Sequence, residues 1–193
     1  MDMNLVVSGA GRALALGGKA VMTVKEDGSR TRGNLMVAEM VIQPDFGAPL
    51  QHLHRAHEEA WFVLDGEIEF TSGTRVVRAG AGDWVLVPVG VPHTFGNAGD
   101  VPARFLAVMT PDLYLGYFDE LSRAMAGATG RATGRATGRA TGGATGGATG
   151  GAMGGATGGV TDEERGRISA ELMAAYPTEV VDPLAWEREH RPG

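Results

Sequence analysis

The chain contains no cysteine among its 193 residues. This absence excludes disulfide scaffolds, thiolate zinc sites and cysteine nucleophiles. No segment approaches the roughly 20 consecutive apolar residues that a membrane-spanning helix needs. The amino terminus has an acidic residue where a signal peptide has positive charge, and Arg12 and Lys19 interrupt any apolar run. We therefore expect a cytoplasmic protein without a membrane partner.

Clustered positive charge is also missing. The formal net charge is −6, and Lys and Arg form no patch along the sequence. Nucleic-acid binding relies on many Lys or Arg contacts to phosphates, so nucleic acid is not an expected partner.

Glycine, in contrast, is abundant, with 31 residues. Most of the excess lies in a four-residue repeat, GATG or RATG, over residues 127–158. This spacing matches neither the helix nor the strand period, and glycine disfavours both structures. The repeat is therefore predicted to be a disordered Gly/Thr-rich insertion, acting as a flexible linker. The alternative is that Arg131, Arg135 and Arg139 contact an anionic partner.

Residues 18–111 carry short runs rich in Val, Ile, Phe and Trp, separated by Gly, Pro, Asn and Asp. The runs are VMTV, NLMVAEMVI, AWFVL, EIEF, RVV, DWVLV and ARFLAVM. Many short strands at this spacing, with no helical pattern between them, indicate an antiparallel sandwich or barrel. Ser72-Gly73 is typical of a tight hairpin turn.

Two helices are expected after these strands. Leu113, Tyr117 and Leu121 recur at helical spacing, which predicts a helix over residues 112–126. Beyond the repeat, Thr161 and Glu164 form a capping box, and an apolar stripe predicts a second helix that Pro177 ends. We expect this helix to dock on the barrel, since no other core is available. The predicted organisation is a barrel with the first helix (1–126), the repeat (127–159), and the second helix with the tail (160–193).

Four residues have the chemistry of metal ligands. His52 and His54 alternate on a strand, so both imidazoles face the same side of the sheet, and Glu59 opens the next run. Imidazole and carboxylate together suit a divalent first-row metal such as Fe, Mn, Co, Ni, Cu or Zn. His93 follows a turn that contains Pro88, Gly90 and Pro92, and it begins a new strand.

The two segments resemble the two motifs of the cupin superfamily. The first is matched by Gly47, His52, His54, Glu59 and Gly66, with one residue fewer than usual between Gly47 and His52. The second is matched at every spacing, by the residues Gly82, Pro88, Gly90, His93 and Asn97. Among cupins, the chain is similar to small single-domain proteins described as quercetin 2,3-dioxygenase-like.

The resemblance implies an all-β fold, a double-stranded β-helix or jelly-roll barrel with C-terminal helices. It also implies one divalent transition metal inside the barrel on His52, His54, Glu59 and His93, with iron the first choice. Such small cupins form homodimers, and we expect the strand around Val21–Val24 to be the sheet edge that does so.

Other polar residues near the motifs were weighed against the four ligands. Glu58 is a rival for the carboxylate position, but Glu59 alone keeps six residues before Gly66 and shares a strand face with Trp61. His57 is expected to be a solvated loop residue, with a role near the substrate as the alternative. Trp61 and Phe95 are expected to line a substrate pocket.

Four protein ligands leave one or two coordination positions free, as a catalytic metal requires. The expected function is an oxidoreductase that adds dioxygen to a small apolar phenolic or enolisable substrate, as the resemblance implies. Glu59 would act as its catalytic base, a role that also comes from the family. Two alternatives are a metal-dependent isomerase, decarboxylase or polyketide cyclase, and a cupin that binds a small molecule without turnover.

Overall fold

The computed structural model describes residues 3–137 and 160–190, which form eleven strands and three helices. The strands are β1 (Arg12–Ala15), β2 (Ala20–Asp27), β3 (Met36–Ile42), β4 (His52–His54), β5 (Glu58–Asp65), β6 (Glu67–Ser72), β7 (Arg75–Gly80), β8 (Trp84–Val87), β9 (Thr94–Gly96), β10 (Ala103–Thr110) and β11 (Thr178–Val180). The helices are α1 (Leu115–Thr137), α2 (Asp162–Met173) and α3 (Pro183–His190).

The strands form two antiparallel sheets that face each other, plus a short pair. The larger sheet has the order β1-β2-β3-β10-β5-β8, and the smaller has the order β7-β6-β9. Aromatic rings from the two sheets meet between them, with centroids 5.2 Å apart for Trp61 and Phe70 and 5.8 Å apart for Phe95 and Phe105. The expected all-β double-stranded β-helix is confirmed.

Burial alternates along the strands as the sequence pattern requires. In β3, every second residue from Met36 to Ile42 is buried, and β10 repeats the pattern. The predicted hairpin is present, since β6 and β7 pair around Gly73, whose φ is +60°. The turn therefore needs glycine at this position.

The expected sheet edge was wrong. Val21 to Val24 lie in β2, which pairs with β1 on one side and β3 on the other. No strand signal marks β1, because RALA lacks the β-branched and aromatic residues that are typical of strands. The edges of the larger sheet are β1 and β8. Homodimer formation stays a prediction.

The helix α1 is longer than expected, because it continues past residue 126 into the repeat. Ala128 is buried. Extending a helix from an anchored turn is easier than starting one, which offsets the poor propensity of the first glycines. The prediction of a flexible linker falls mostly on residues 138–159, outside the described residues. Among the described residues, no helix is both long and apolar enough to cross a membrane.

The capping box at the start of α2 is confirmed. The backbone N–H of Glu164 donates to Thr161 Oγ1 over 3.1 Å, and Thr161 has the extended backbone of an N-cap. The helix docks as expected, with Ile168 and Met173 in the core. After it, β11 pairs with β4 and α3 follows. Neither element was predicted from the sequence.

Candidate metal centre

The two histidine segments are joined directly by backbone hydrogen bonds. The N–H of His52 donates to the carbonyl of His93 over 3.0 Å, and the N–H of His93 donates to the carbonyl of His52 over 2.7 Å. Because side chains of such a pair leave the same face of the sheet, the two imidazoles lie side by side. Their ring centroids are 4.6 Å apart.

His54 completes a triad with these two residues. It lies two positions beyond His52 in β4, so its ring emerges on the same side. Its ring centroid is 4.9 Å from that of His52 and 5.2 Å from that of His93. One ring nitrogen from each of the three histidines lies within 4.8 Å of the others, and all three residues are buried. This spacing allows one ion to contact all three.

Glu59 faces the triad from the neighbouring strand β5. Its Oε1 lies 3.3 Å from His54 Nε2, and its Oε2 lies 3.1 Å from His93 Nε2. Residue 58 points to the opposite side of the strand, and Glu58 is only half-buried. The structure therefore brings the carboxylate of Glu59, rather than that of Glu58, to the predicted ligand set.

Two backbone carbonyls orient the rings of His52 and His93. The Nδ1 of His52 lies 2.8 Å from the carbonyl of Leu50, and the Nδ1 of His93 lies 3.1 Å from that of Val91. A carbonyl only accepts, so each Nδ1 carries the proton when the ring is neutral. The Nε2 lone pair then faces the site, as in histidines that bind metals.

A residue of the C-terminal segment orients the third ring. His54 Nδ1 lies 3.0 Å from the hydroxyl of Thr178. Thr178 is opposite His54 in the β11–β4 pair. The Nε2 of His54 is buried and, although it lies 3.3 Å from Glu59 Oε1, it has no aligned hydrogen-bond partner among the described residues. An unpaired buried nitrogen is costly, and a bound cation would remove that cost.

The protonation states suit metal binding. Burial, followed by electrostatic repulsion from the His93 ring, lowers the pKa of His52 to about 3, and burial also lowers the pKa of His54. For Glu59, burial opposes ionisation, but the adjacent imidazoles of His54, His57 and His93 outweigh it and hold its pKa well below its usual range. Neutral imidazoles and an ionised carboxylate are the forms that bind cations.

His57 is not the solvated loop residue that we expected. It is 1% exposed, and its Nε2 lies 3.4 Å from Glu59 Oε1. Its ring packs on those of His54 and Tyr114, with centroids 4.1 and 4.6 Å away. The local sequence is polar, and the ring of Tyr114, just before α1, is one of the groups that cover it. His54, His57 and Glu59 form a second group with metal-binding spacing. His57 is therefore an alternative metal ligand, which would share Glu59 with the triad.

The ligands lie at one side of a largely apolar cavity. It encloses about 760 Å³ of empty space, counting the part that is open to solvent. Trp61 and Phe95 line it, together with His52, His54 and Glu59. His57 is not among the lining residues. The cavity is therefore large enough for a small molecule, and it is in contact with proposed metal ligands.

Residues in or beside the helices, which no motif indicated, form another part of the wall. They are Tyr114, Tyr117, Phe118 and Leu121 in or beside α1, and Arg165, Gly166, Ser169 and Met173 in α2. The hydroxyl of Tyr117 bonds Ser169 Oγ over 2.6 Å, which links the two helices. The hydroxyl of Tyr114 is buried without a partner among the described residues. The concentration of aromatic residues in 114–118 is the only sequence signal for this wall.

Comparison with known proteins agrees with this architecture. Residues 38–109 match the family model of the cupin domain. This part of the chain is therefore similar to a cupin domain. The cupin motifs at His52 and His93 both lie inside the matched range.

Individual relatives match over limited lengths. Mannose-1-phosphate guanylyltransferase 2 of Escherichia coli O157:H7 is 29% identical over 83 residues, which are 43% of this chain and 17% of that protein. An uncharacterized protein of Methanocaldococcus jannaschii is 29% identical over 75 residues, 39% of this chain and 59% of that protein. The solved structure of KdgF from Halomonas sp. is similar in fold, with a TM-score of 0.50 at 13% identity over 57% of this chain and 94% of that one.

The donor set fits a divalent metal of the kind that cupins hold. Three imidazole nitrogens and one carboxylate are typical ligands of Fe, Mn, Co, Ni, Cu or Zn. A purely structural role for the histidine cluster would explain neither the unpaired Nε2 of His54 nor the contacts that orient the three Nδ1 atoms. His52, His54, Glu59 and His93 are therefore the residues that would hold the ion.

Proposed function

We propose that this protein is a metal-dependent oxidoreductase that adds dioxygen to a small apolar phenolic or enolisable compound. The observation that carries the proposal is a buried cluster of four metal-binding side chains, three of which, His52, His54 and Glu59, line an apolar cavity. When bound, a divalent metal with a free coordination position would act as a Lewis acid towards the substrate oxygen and would bring dioxygen close to the substrate.

The cavity wall determines what kind of guest fits. Aromatic and aliphatic side chains surround the ligands, with Trp61 and Phe95 on the barrel side and Phe118 on the helix side. Such a lining favours an aromatic or aliphatic body over a sugar or a nucleotide. It also keeps bulk water away from the reacting atoms.

Glu59 would act as the proton acceptor. Its carboxylate is ionised at neutral pH, because the adjacent imidazoles hold its pKa low. A phenol or enol that enters beside it would transfer its hydroxyl proton to a carboxylate oxygen of Glu59. The substrate would then be the anion that reacts with dioxygen.

A second function is favoured by Tyr114. Its buried hydroxyl has no partner among the described residues, and its ring centroid is 4.7 Å from that of His54. Burial raises the pKa of Tyr114, so the hydroxyl keeps its proton and can donate to a substrate oxyanion beside the metal ligands. This arrangement would also suit an isomerase, decarboxylase or cyclase that forms an enolate without oxygen chemistry.

Oxygen dependence separates the two functions. Protein loaded anaerobically with Fe or Mn should be screened against phenolic and 1,3-dicarbonyl compounds, with oxygen uptake recorded and ¹⁸O₂ as the label. We expect substrate-dependent uptake and label in the product. Equal turnover with and without oxygen would contradict the oxidoreductase and favour the enolate chemistry.

A further inference from the structure

Arg165 of α2 is a buried cation in the wall of the metal cavity. It is only 8% exposed, and it lines the same cavity as His52, His54 and Glu59. Charged side chains are almost never buried to this degree unless their charge is matched. A guanidinium also keeps its proton inside a protein, so burial does not neutralise it.

The guanidinium is held at one end only. Its Nη2 donates to the carbonyl of Gly47 over 2.7 Å and to Asp162 Oδ1 over 2.9 Å. Its carbon lies 4.6 Å from the centre of the Phe46 ring, which fixes the plane of the group. Its Nη1 is buried and has no hydrogen-bond partner among the described residues.

A purely structural role in linking α2 to the Gly47 loop does not explain the environment of the guanidinium. Asp162 is a weak counter-charge, because its side chain is 55% exposed and also pairs with Lys19 at 3.6 Å. A structural link between α2 and the Gly47 loop uses only Nη2. Such a link offers no contact that would compensate for burying the unpaired Nη1.

The backbone also leaves space for this side chain. A Cβ at residue 47 would lie 2.7 Å from Nη2, and a Cβ at residue 17 would lie 3.0 Å from the Arg165 Cδ. Both positions are glycine. The position of the guanidinium therefore depends on two glycines far apart in the sequence.

We propose that Arg165 binds an anionic group of the substrate, a carboxylate above all, while another part of the same substrate faces the metal ligands. Carboxylates match the guanidinium fork in charge and geometry. The inference rests on the proposed function, since it assumes that the substrate of the metal centre occupies this cavity. It narrows the substrate class to compounds with an apolar body and an acid group away from the reacting oxygen.

The test uses the full chain loaded with zinc under argon, so that no redox chemistry occurs. The probes are 3,4-dihydroxybenzoate, 3,4-dihydroxyphenylacetate and 3-(3,4-dihydroxyphenyl)propionate, each compared with its primary amide by calorimetric titration. The catechol end can bind the metal in both members of a pair, so the comparison isolates the acid group. The three arm lengths cover different distances to Arg165.

We expect at least one acid to bind wild type about tenfold or more tightly than its amide. Arg165→Gln should abolish this preference and leave amide affinity unchanged, an outcome that loss of a purely structural contact would not give. Arg167→Gln is the matched control, because Arg167 lies on the same helix, is exposed and pairs with Glu171. It should keep the preference.

Two further variants cover the case in which Arg165→Gln does not fold. Arg165→Lys should keep only part of the preference, and Gly47→Ala should reduce it by displacing Nη2. Equal binding of acids and amides to wild type, or a preference that survives these substitutions, would overturn the proposal. Because zinc binding needs no oxygen, a failed oxygen-uptake assay would leave this result standing, so the two proposals fail separately.

Discussion

The barrel and the C-terminal segment contribute different things to the same cavity. The barrel supplies all four proposed ligands, on β4, on β5 and just before β9. The segment after β10 supplies Tyr114, Arg165 and Thr178, of which two face the cavity and one orients a ligand. The proposed metal ligands thus lie on the barrel, and the proposed acid-binding residue Arg165 lies on α2. Substitutions in the two regions should therefore have different consequences.

The largest expected effect is loss of metal from a barrel variant. His93→Ala removes a nitrogen of the triad and should lower metal affinity by more than the roughly 100-fold typical of losing a residue that only orients a ligand. His57→Ala is the control, because His57 contacts Glu59 but is not one of the three triad histidines. It should bind metal nearly normally in competition titrations with a chelator. Similar losses in both variants would mean that His57 is a ligand.

Glu59→Gln should separate metal binding from turnover. The amide keeps an oxygen that can bind the ion, but it cannot accept the substrate proton. Turnover should fall by about 10²–10⁴-fold, the usual contribution of a general base. Metal content, measured on the same preparation, should fall much less. A parallel decline of both quantities would limit Glu59 to a ligand role.

Thr178→Val tests how strongly the C-terminal segment supports the barrel site. The change removes the hydroxyl that lies 3.0 Å from His54 Nδ1 but keeps the side-chain shape. Metal affinity should fall by about 10–100-fold. Thr178→Ser, which retains the hydroxyl, should restore most of it. If Thr178→Val binds metal as wild type does, the segment does not orient His54.

Much of the barrel was predictable from sequence, because alternating burial and turn residues are local signals. The ligands were predictable as well, since the spacings around His52 and His93 are specific. Thr178 and Arg165 were not, because each acts on residues more than 100 positions away. Contacts of that kind leave no local pattern. The burial of His57 was missed for the same reason, since Tyr114, distant in sequence, packs against its ring.

The metal-free protein should also show a pH-dependent stability. Burial holds the pKa of His52 near 3, whereas its ordinary value is 6.5. Below pH 6.5, the unfolded chain therefore binds a proton at His52 that the folded chain does not bind. The free energy of unfolding should therefore decrease as pH falls through this window, by up to about 1.4 kcal/mol per pH unit. Urea titrations of chelator-treated protein at several pH values measure it. His52→Gln should flatten the slope, whereas the exposed His190→Gln should not.

The central claim is that one divalent ion occupies the triad and Glu59. Elemental analysis of untagged wild-type protein tests it most directly, after metal-free protein is reconstituted with Fe, Mn, Co, Ni, Cu or Zn and dialysed. We predict one ion per chain for at least one of these metals. A wild-type protein that folds normally and stays empty with all six metals would contradict the account.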